Sequence, residues 1–424
     1  MIKLTRIKRF LKNRFKPLPP CPEKPAELKG ETASFDCGVA VVYVGNGAGK
    51  QHYDTVFSEK GAKFKTFEGL GGKADICAIL YIDKGACIPA IVNGFEHDEA
   101  DFAGFTLRKK IDGIWNWMCN DDSWHAISPE MPDKRVFAEG DVPVIPDRDI
   151  EGVLIFDAVW KLSDGTQADC GYRMFNNSLM AHALGAMDGK AYHNTMAAYE
   201  NAMTKGYKYY EVDLSMTVDG RMVLCHGWTE SNCTHTGFEY SDDLDKTMTY
   251  KKLMSLKVHG NPQIDLRSFY REMKKHADHL YEFDMHSIKG KRAVEIIKET
   301  IRDCKCDREV LDRVLMQVYT NKMYRAVDQT YHFKYYQYLI GKPEKNFYEK
   351  LPILIDEGIC AAAIHVKKVC PEYINALRNA GIYVLAFTVT DDAEQAQHLL
   401  DMGVNTICTD YVAPSDLETV AAAR

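Results

Sequence analysis

The sequence lacks three features that mark specialised classes of protein. No run approaches the ~20 apolar residues that a membrane-spanning helix needs. No CxxC pair occurs among the thirteen cysteines, so their spacing gives no support to a zinc site. A basic excess is also missing: the net charge is -7, which argues against a nucleic-acid partner because such proteins carry a basic face. Small anionic substrates are compatible with all three absences.

Cysteine usage and length set the broad class. The cysteines are odd in number and scattered, which is typical of free thiols in a reducing compartment and predicts a cytoplasmic protein. A chain of 424 residues exceeds the usual size of one domain, so we expect two domains. The sequence makes no prediction about the oligomeric state.

The first twenty residues, "MIKLTRIKRFLKNRFKPLPP", contain no acid. Apolar residues such as Leu4, Ile7 and Leu11 recur at roughly helical spacing between basic ones, and no unbroken apolar stretch of a secretory signal is present. Two interpretations stay open. Residues 1–16 form a basic amphipathic helix on an anionic membrane surface, which implies peripheral placement on its inner face, or they form a disordered basic tail. We assign residues 1–31 to a basic leader and a proline-rich linker.

Residues 32–170 are expected to form a β-rich accessory domain of unknown role. Short runs such as "GVAVVYV", "ADICAILYI" and "EGVLIFDAVWKL" are separated by turn formers, as in a small antiparallel sandwich or a similar β domain.

The pattern changes to alternating strands and helices in residues 177–424. Examples are "NTMAAYENAMTKG" before "YYEVDL" and "DLRSFYREMKKH" before "LYEFDMH". Asp265 and Pro371 stand where helices begin, and Gly381 and Gly403 stand where helices end. This alternation predicts an α/β fold, a (β/α)8 barrel of the TIM type.

The stretch "YYEVDLSMTVDGRMVLCHGW" brings ionisable groups together. Glu211 and Asp213 lie at i and i+2, so both project from one face of a strand. If Asp219-Gly220 forms a two-residue loop, the hairpin register places His226 directly opposite Asp213.

The carboxyl ends of the barrel strands select further candidates. His182 ends the first strand, and Glu282 and Asp284 lie near the end of "LYEFDMH". Several carboxylates and two histidines at one mouth indicate a hard divalent cation, Ca²⁺ or Mg²⁺, with the imidazoles left for proton transfer.

These residues resemble the glycerophosphodiester phosphodiesterase family. The similar segments are "AHALG" at 181–185, "HNT" at 193–195, "EVDLSMTVDGRMVLCHG" at 211–227, "YEFDMH" at 281–286, "FTVT" at 387–390 and "GVNTICTD" at 403–410. They occur in the family's order and cover roughly residues 177–412. The first 170 residues are not covered.

The resemblance implies a metal-dependent hydrolase acting on a glycerophosphodiester. It assigns metal binding to Glu211, Asp213 and Glu282, and acid/base catalysis to His182 and His226. In this family the attacking group is the substrate's own glycerol hydroxyl, and water then opens the cyclic phosphate. The products are a phosphomonoester and an alcohol.

Four positions depart from the family pattern. Ala183 replaces an arginine and is followed by an extra residue, Leu184; His193 replaces a glutamate; Asp284 replaces a lysine; and Gly227 replaces an aspartate. The site therefore loses two cationic donors to phosphate. A second cation at Asp284, or Lys289 from the following loop, could replace that charge, and His193 is a further candidate for substrate contact.

Three functional hypotheses follow from these patterns. The first is a divalent-metal phosphodiesterase for glycerophosphodiesters or related phosphodiesters. The second is a phospholipase-like enzyme that acts at the membrane surface through the leader. The third is a barrel without turnover that serves as a binding or assembly module.

Overall fold

The computed structural model describes residues 38–53, 63–70, 73–83, 88, 90–143, 153–169, 171–286 and 291–423. The basic leader with its linker, residues 1–31, and Lys289 lie outside the described residues. The division of the chain at residues 31, 170 and 177 stays a prediction.

The predicted β-rich region is confirmed. Its described strands are β1 (Gly38–Val44), β2 (Lys50–Gln51), β3 (Lys63–Leu70), β4 (Lys73–Asp83), β5 (Phe95–Glu96), β6 (Asp101–Ile111), β7 (Ile114–Met118), β8 (Trp124–Ala126), β9 (Val136–Phe137) and β10 (Val153–Lys161). One sheet has the order β3-β4-β1-β10-β6-β7-β8 with β9 on β6, and β2 pairs with β5. Most pairs are antiparallel, but β1 and β10 run parallel. Aromatic side chains including Tyr43, Phe105 and Phe156 pack on one face and form its core.

Eight parallel strands close the predicted (β/α)8 barrel. They are β11 (Leu179–Ala181), β12 (Tyr209–Met216), β16 (Leu280–Asp284), β17 (Val314–Val318), β18 (Tyr335–Leu339), β19 (Ala361–His365), β20 (Tyr383–Val389) and β21 (Thr406–Thr409). Pairing runs from β11 through β21 to β16 and β12, and β12 returns to β11, which closes the ring. The fold prediction is confirmed.

Helices cover the outside of the barrel and follow its strands. In chain order the α-helices are α1 (Tyr172–Phe175), α2 (Met196–Thr204), α3 (Glu230–Thr236), α4 (Leu244–Thr247), α5 (Tyr250–Leu253), α6 (Leu266–Lys275), α7 (Lys291–Asp303), α8 (Arg308–Leu311), α9 (Asn321–Thr330), α10 (Pro343–Asp356), α11 (Pro371–Asn379), α12 (Ala393–Asp401) and α13 (Pro414–Ala423). The predicted helix starts are confirmed: the Asp265 side chain accepts from the Ser268 N–H, and Pro371 is the first residue of α11.

The hairpin after β12 has a longer loop than predicted. β12 pairs with β13 (Met222–Leu224), and Leu214 lies opposite Leu224. The Thr217 N–H donates to the Arg221 carbonyl at 3.0 Å, so three residues form the loop. Gly220, with φ of 74°, supplies the left-handed residue that such a loop needs.

The extra loop residue moves the register by one position. Asp213 lies opposite Cys225, whose N–H donates to the Asp213 carbonyl at 3.0 Å, so the prediction that His226 pairs with Asp213 is wrong. His226 follows the end of β13, and its imidazole still approaches the Asp213 carboxylate.

An insertion of about 40 residues separates β13 from α6. It contains α3, α4, α5 and a small ribbon, β14 (Lys257–Val258) with β15 (Asn261–Pro262). Trp228, Phe238 and Met248 belong to an apolar cluster of its own, which gives the insertion a packed core next to the barrel mouth.

The β-rich sheet contacts the outside of the barrel. Trp115 Nε1 donates to Asp356 Oδ1 at 2.7 Å at the end of α10, and Asn379 Nδ2 donates to the Ser128 carbonyl at 2.8 Å. None of the helices in the described residues combines the length and the apolar character needed to cross a bilayer.

Candidate active site

The alternation of β12 directs its two acids into the barrel. Tyr210 and Val212 pack in the layer between strands and helices, whereas Tyr209 packs inside the barrel. Glu211 and Asp213 continue the inward face toward the carboxyl end of the strand. The predicted same-face placement of the two acids therefore follows from the period of two residues.

β16 adds a matching pair of acids beside them. In the parallel register Glu211 lies next to Glu282, and Asp213 lies next to Asp284. Glu211, Asp213 and Asp284 each offer an oxygen, and these oxygens lie within 4.8 Å of one another. Glu282 lies outside that group, but it is buried and its Oε2 has no hydrogen-bond partner.

The carboxylate cluster consists of these four residues, Glu211, Asp213, Glu282 and Asp284, which expose 5, 1, 3 and 9% of their surface. Burial, followed by repulsion from the neighbouring acids, raises the pKa of Glu211 and of Glu282 well above the ordinary range. In the described part of the chain, the ion pairs of this cluster involve histidines and no lysine or arginine. The cluster therefore has a deficit of positive charge.

His182 is held by an aspartate from the last barrel strand. Its Nδ1 lies 2.7 Å from Asp410 Oδ1, and both side chains are nearly buried. A carboxylate can only accept, so the ring hydrogen is on Nδ1 and Nε2 is left for the site. Burial opposes protonation of the ring, but the hydrogen bond and charge of Asp410 outweigh it, and the pKa of His182 is raised.

His226 also lies beside the carboxylate cluster. Its Nε2 lies 3.9 Å from Asp213 Oδ1, and its Nδ1 is buried without a hydrogen-bond partner. The Asn232 side chain donates to the His226 carbonyl at 2.8 Å and fixes the backbone. The structure thus brings both predicted histidines to the carboxylate cluster.

His286 joins the same site. Its Nε2 lies 3.5 Å from Asp213 Oδ1, its Nδ1 lies 3.5 Å from Asp284 Oδ2, and its ring centre is 4.1 Å from that of His226. Burial disfavours the charged forms, but the contact between the two side chains lowers the pKa of Asp284 to about 2 and raises the pKa of His286 to about 9. The aspartate that replaces the family lysine therefore has its own cationic partner.

A chain of hydrogen bonds fixes Asp284 from below. The Tyr319 hydroxyl lies 2.7 Å from Asp284 Oδ2, Gln317 Nε2 donates to that hydroxyl at 3.1 Å, and Gln337 Nε2 donates to Gln317 Oε1 at 2.7 Å. Tyr319 and Gln317 therefore contribute polar groups beneath the site.

The remaining candidates have different placements. His193 is buried, and the described contacts of its ring are the Met187 carbonyl at 3.3 Å and the ring of His259 at 4.9 Å, away from the cluster. Ala183 and Leu184 are buried in left-handed conformations, and the Ala183 N–H donates to Glu211 Oε2 at 2.7 Å. A backbone donor thus stands at the position of the missing arginine.

Three contributors were not singled out from the sequence. Asn194 Nδ2 donates to Asp213 Oδ2 at 2.7 Å, Asp410 orients His182, and the ring of Tyr192 packs edge to face against the rings of His182 and His226. Asn194 and Asp410 belong to the "HNT" and "GVNTICTD" segments, so those segments carried a usable signal. Tyr192 had none.

Known proteins share the fold of the barrel. The model of the glycerophosphoryl diester phosphodiesterase family matches residues 185–413, more than half of the chain. A Silicibacter pomeroyi protein described as a glycerophosphoryl diester phosphodiesterase is 18% identical, with a TM-score of 0.50 over 58% of this chain and 93% of that one. An Oleispira antarctica phosphodiesterase, solved with the product sn-glycerol-3-phosphate, is 18% identical, with a TM-score of 0.49 over 59% of this chain and 98% of that one. No curated protein is significantly similar to the chain.

Proposed function

Because this chain belongs to the glycerophosphoryl diester phosphodiesterase family, we propose that its barrel hydrolyses a glycerophosphodiester with the help of a divalent cation. The family comprises phosphoric diester hydrolases, and the expected products are a phosphomonoester and an alcohol. The observation that carries the proposal is the buried carboxylate cluster between two histidines at the barrel mouth.

The donor set fits a hard divalent cation. Four buried carboxylates without a lysine or arginine partner in the described residues are costly unless positive charge compensates them. Oxygen donors are the ligands of Ca²⁺ and Mg²⁺. We assign the cation to Glu211, Asp213 and Glu282, with Asp284 as a fourth carboxylate beside them. When bound, the cation would withdraw charge from the phosphoryl oxygens.

The two histidines have different surroundings, which suggests different roles. Asp410 stabilises the imidazolium form of His182, so His182 is suited to protonate the leaving alcohol. His226 lacks such a partner for Nδ1 and is assigned to deprotonate the attacking hydroxyl. In the second step, in which water opens a cyclic phosphate, the two roles are exchanged.

A panel of diesters tests the activity. Glycerophosphocholine, glycerophosphoethanolamine and bis(p-nitrophenyl) phosphate are incubated with the full-length protein in Ca²⁺, Mg²⁺ or EDTA. We expect turnover that EDTA abolishes and that falls by about 10²–10⁴-fold in His226→Gln. Glu211→Gln should abolish the response to the cation. The preferred ion and the released alcohol are read from the same panel.

The opposite results would favour another function. Folded protein that hydrolyses none of the diesters with either ion supports the binding-module hypothesis. Turnover that persists in EDTA and in both variants places the chemistry elsewhere in the chain.

Action at a membrane surface is a separate part of the proposal. Residues 1–16 supply basic and apolar side chains suited to an anionic surface of a cytoplasmic membrane. Deletion of residues 1–20 should abolish binding to anionic liposomes and leave hydrolysis of water-soluble diesters unchanged. Equal liposome binding with and without the segment would remove the membrane role.

A further inference from the structure

The phosphate-binding side of the site lacks the cations expected of it. Ala183 and Asp284 stand where the family has arginine and lysine. The described residues place no lysine or arginine in an ion pair with the carboxylate cluster. A bound cation contacts only some phosphoryl oxygens, so another donor is needed for the rest. The inference that follows rests on the proposed phosphodiesterase function.

The ring of Tyr192 contacts both proposed acid/base groups. Its ring centre lies 4.7 Å from that of His182 and 5.7 Å from that of His226, and both contacts are edge to face. His235 from the insertion stacks on Tyr192 at 4.7 Å with an interplanar angle of 25°. The ring therefore borders the space beside the two histidines in which the proposed function places the scissile phosphate.

The backbone around Tyr192 is fixed in an uncommon conformation. Tyr192 has φ of 58° and Asn194 has φ of 48°, both in the left-handed region. The Asn194 N–H donates to the Ala183 carbonyl at 2.9 Å, and Met187 and Lys190 exchange two hydrogen bonds of 3.0 Å. Strained conformations of this kind persist where the surrounding contacts hold them, and they concentrate at functional sites.

The hydroxyl of Tyr192 is available to a ligand. It makes no hydrogen bond within the described part of the chain. Burial and the nearby charges of Asp410, Asp213 and Glu211 raise the pKa of Tyr192 to about 12, so the group remains a donor at neutral pH. None of the nearby carboxylates that the structure describes accepts the hydrogen of the Tyr192 hydroxyl. That hydrogen can therefore be donated to an anionic oxygen of a ligand.

We propose that the Tyr192 hydroxyl donates a hydrogen bond to a non-bridging oxygen of the phosphodiester and so replaces a cationic donor that the chain lacks. A hydrogen bond from a phenol to an anionic oxygen is charge-assisted, yet it adds no positive charge to the site. Such a site attracts the dianionic phosphomonoester product less than a site with arginine and lysine, which favours product release.

Tyr192→Phe tests the role, because it removes the hydroxyl and keeps the ring contacts with His182 and His235. We expect kcat/KM for glycerophosphocholine to fall by about 10- to 100-fold, the usual effect of losing one hydrogen bond to a charged group. Thermal unfolding should not change. Tyr240→Phe is the matched control, since Tyr240 lies in the insertion, is exposed, and bonds to Asp242. It should retain wild-type kinetics.

A sulfur substitution shows whether the hydroxyl touches the phosphate. Sulfur accepts hydrogen bonds poorly. For one diastereomer of a phosphorothioate diester, the loss of rate relative to the oxygen substrate should be several-fold larger in the wild type than in Tyr192→Phe. Equal losses in both proteins for both diastereomers would overturn the contact, as would wild-type kinetics of the phenylalanine variant.

Binding of the product separates this inference from the proposed function. Titration with sn-glycerol-3-phosphate, with Mg²⁺ and with EDTA, should show affinity reduced about 10-fold or more in Tyr192→Phe. If the wild type binds the product but hydrolyses no diester, the function fails and the titration alone decides the role of Tyr192. If the wild type neither binds nor hydrolyses, both proposals fail.

Discussion

The two ends of the barrel differ in how their charged side chains are paired. At the amino-terminal end, Arg313 donates to the carbonyls of Met273 at 2.7 Å, His276 at 2.9 Å and His279 at 2.6 Å. At the carboxyl-terminal end, four carboxylates share a buried space without an arginine or lysine partner in the described residues. The arginine at the first end is paired within the protein, whereas the carboxylates at the second end have histidine, tyrosine, asparagine and backbone partners but no lysine or arginine among the described residues.

Each end of the barrel has a histidine-aspartate contact, and the two contacts can be compared directly. At the mouth His182 Nδ1 lies 2.7 Å from Asp410, and at the base His332 Nδ1 lies 2.7 Å from Asp328. Tyr336 also bonds to Asp328 at 3.3 Å, and its ring packs among core aromatics. The distance within the pair is the same at both ends, so distance does not distinguish function. The surroundings do, because only the mouth pair borders the carboxylate cluster.

The largest expected effect comes from breaking the two histidine-aspartate pairs in parallel. His182→Asn should lower kcat/KM by about 10³-fold, since it removes the proposed proton donor. His332→Asn should leave kcat/KM within about threefold and reduce the free energy of unfolding by ~1–3 kcal/mol, since it disturbs a buried hydrogen bond. Diester hydrolysis and urea unfolding measure both. A loss of activity in His332→Asn as large as in His182→Asn would contradict the division.

The second effect concerns the aspartate partners. Asp410 raises the pKa of His182, so Asp410→Asn should lower that pKa and move the alkaline limb of kcat/KM to lower pH. The rate should fall about 10- to 100-fold near neutral pH, because the acid form becomes less populated as pH rises. Profiles between pH 5 and 9 measure the shift. Asp328→Asn is the control at the base, and a matching shift in that variant would show an indirect effect on folding.

The sequence predicted this fold well because its signals are periodic. Local geometry sets where helices begin, as at Asp265 and Pro371. It also sets the alternation that directs Glu211 and Asp213 inward. Both features can be read from the spacing of residue types. The residues of the cluster were also accessible, because carboxyl ends of parallel strands meet at one mouth.

The errors and omissions arise where local pattern does not set the geometry. The loop after β12 contains three residues instead of two, a choice decided by Gly220 and the hydrogen bond between Thr217 and Arg221. Tyr192 reaches the site through a left-handed conformation, which no periodicity records. The partnership of His182 with Asp410 joins the first and last strands across 228 positions, and only closure of the barrel brings them together.

The third effect asks whether the mouth opposes folding when no ligand is present. Glu282 is buried beside other acids, and burial raises its pKa, so Glu282→Gln should stabilise the protein in EDTA by ~1–2 kcal/mol. The same variant should lose most of the rise in melting temperature that Ca²⁺ or Mg²⁺ gives the wild type. Calorimetry with and without the ion measures both. Glu272→Gln, on the outer surface of α6 beside Lys275, is the control and should change neither quantity.

The smallest effect belongs to the base of the barrel. His279 accepts or donates at Nδ1 with the Tyr199 hydroxyl at 2.7 Å, and burial lowers the pKa of His279 to about 4. The charged or titratable groups around it are Asp278, His276, Lys208 and Arg313. Between about pH 4 and 6.5 the unfolded chain binds a proton that the folded chain does not, so stability decreases as pH falls through this window. Between pH 7 and pH 5 the wild type should therefore lose ~1–2 kcal/mol more than His279→Asn, measured by urea unfolding in EDTA. Equal losses of stability in the two proteins would mean that His279 does not cause the acid sensitivity of the fold. Groups at the mouth would then be its source.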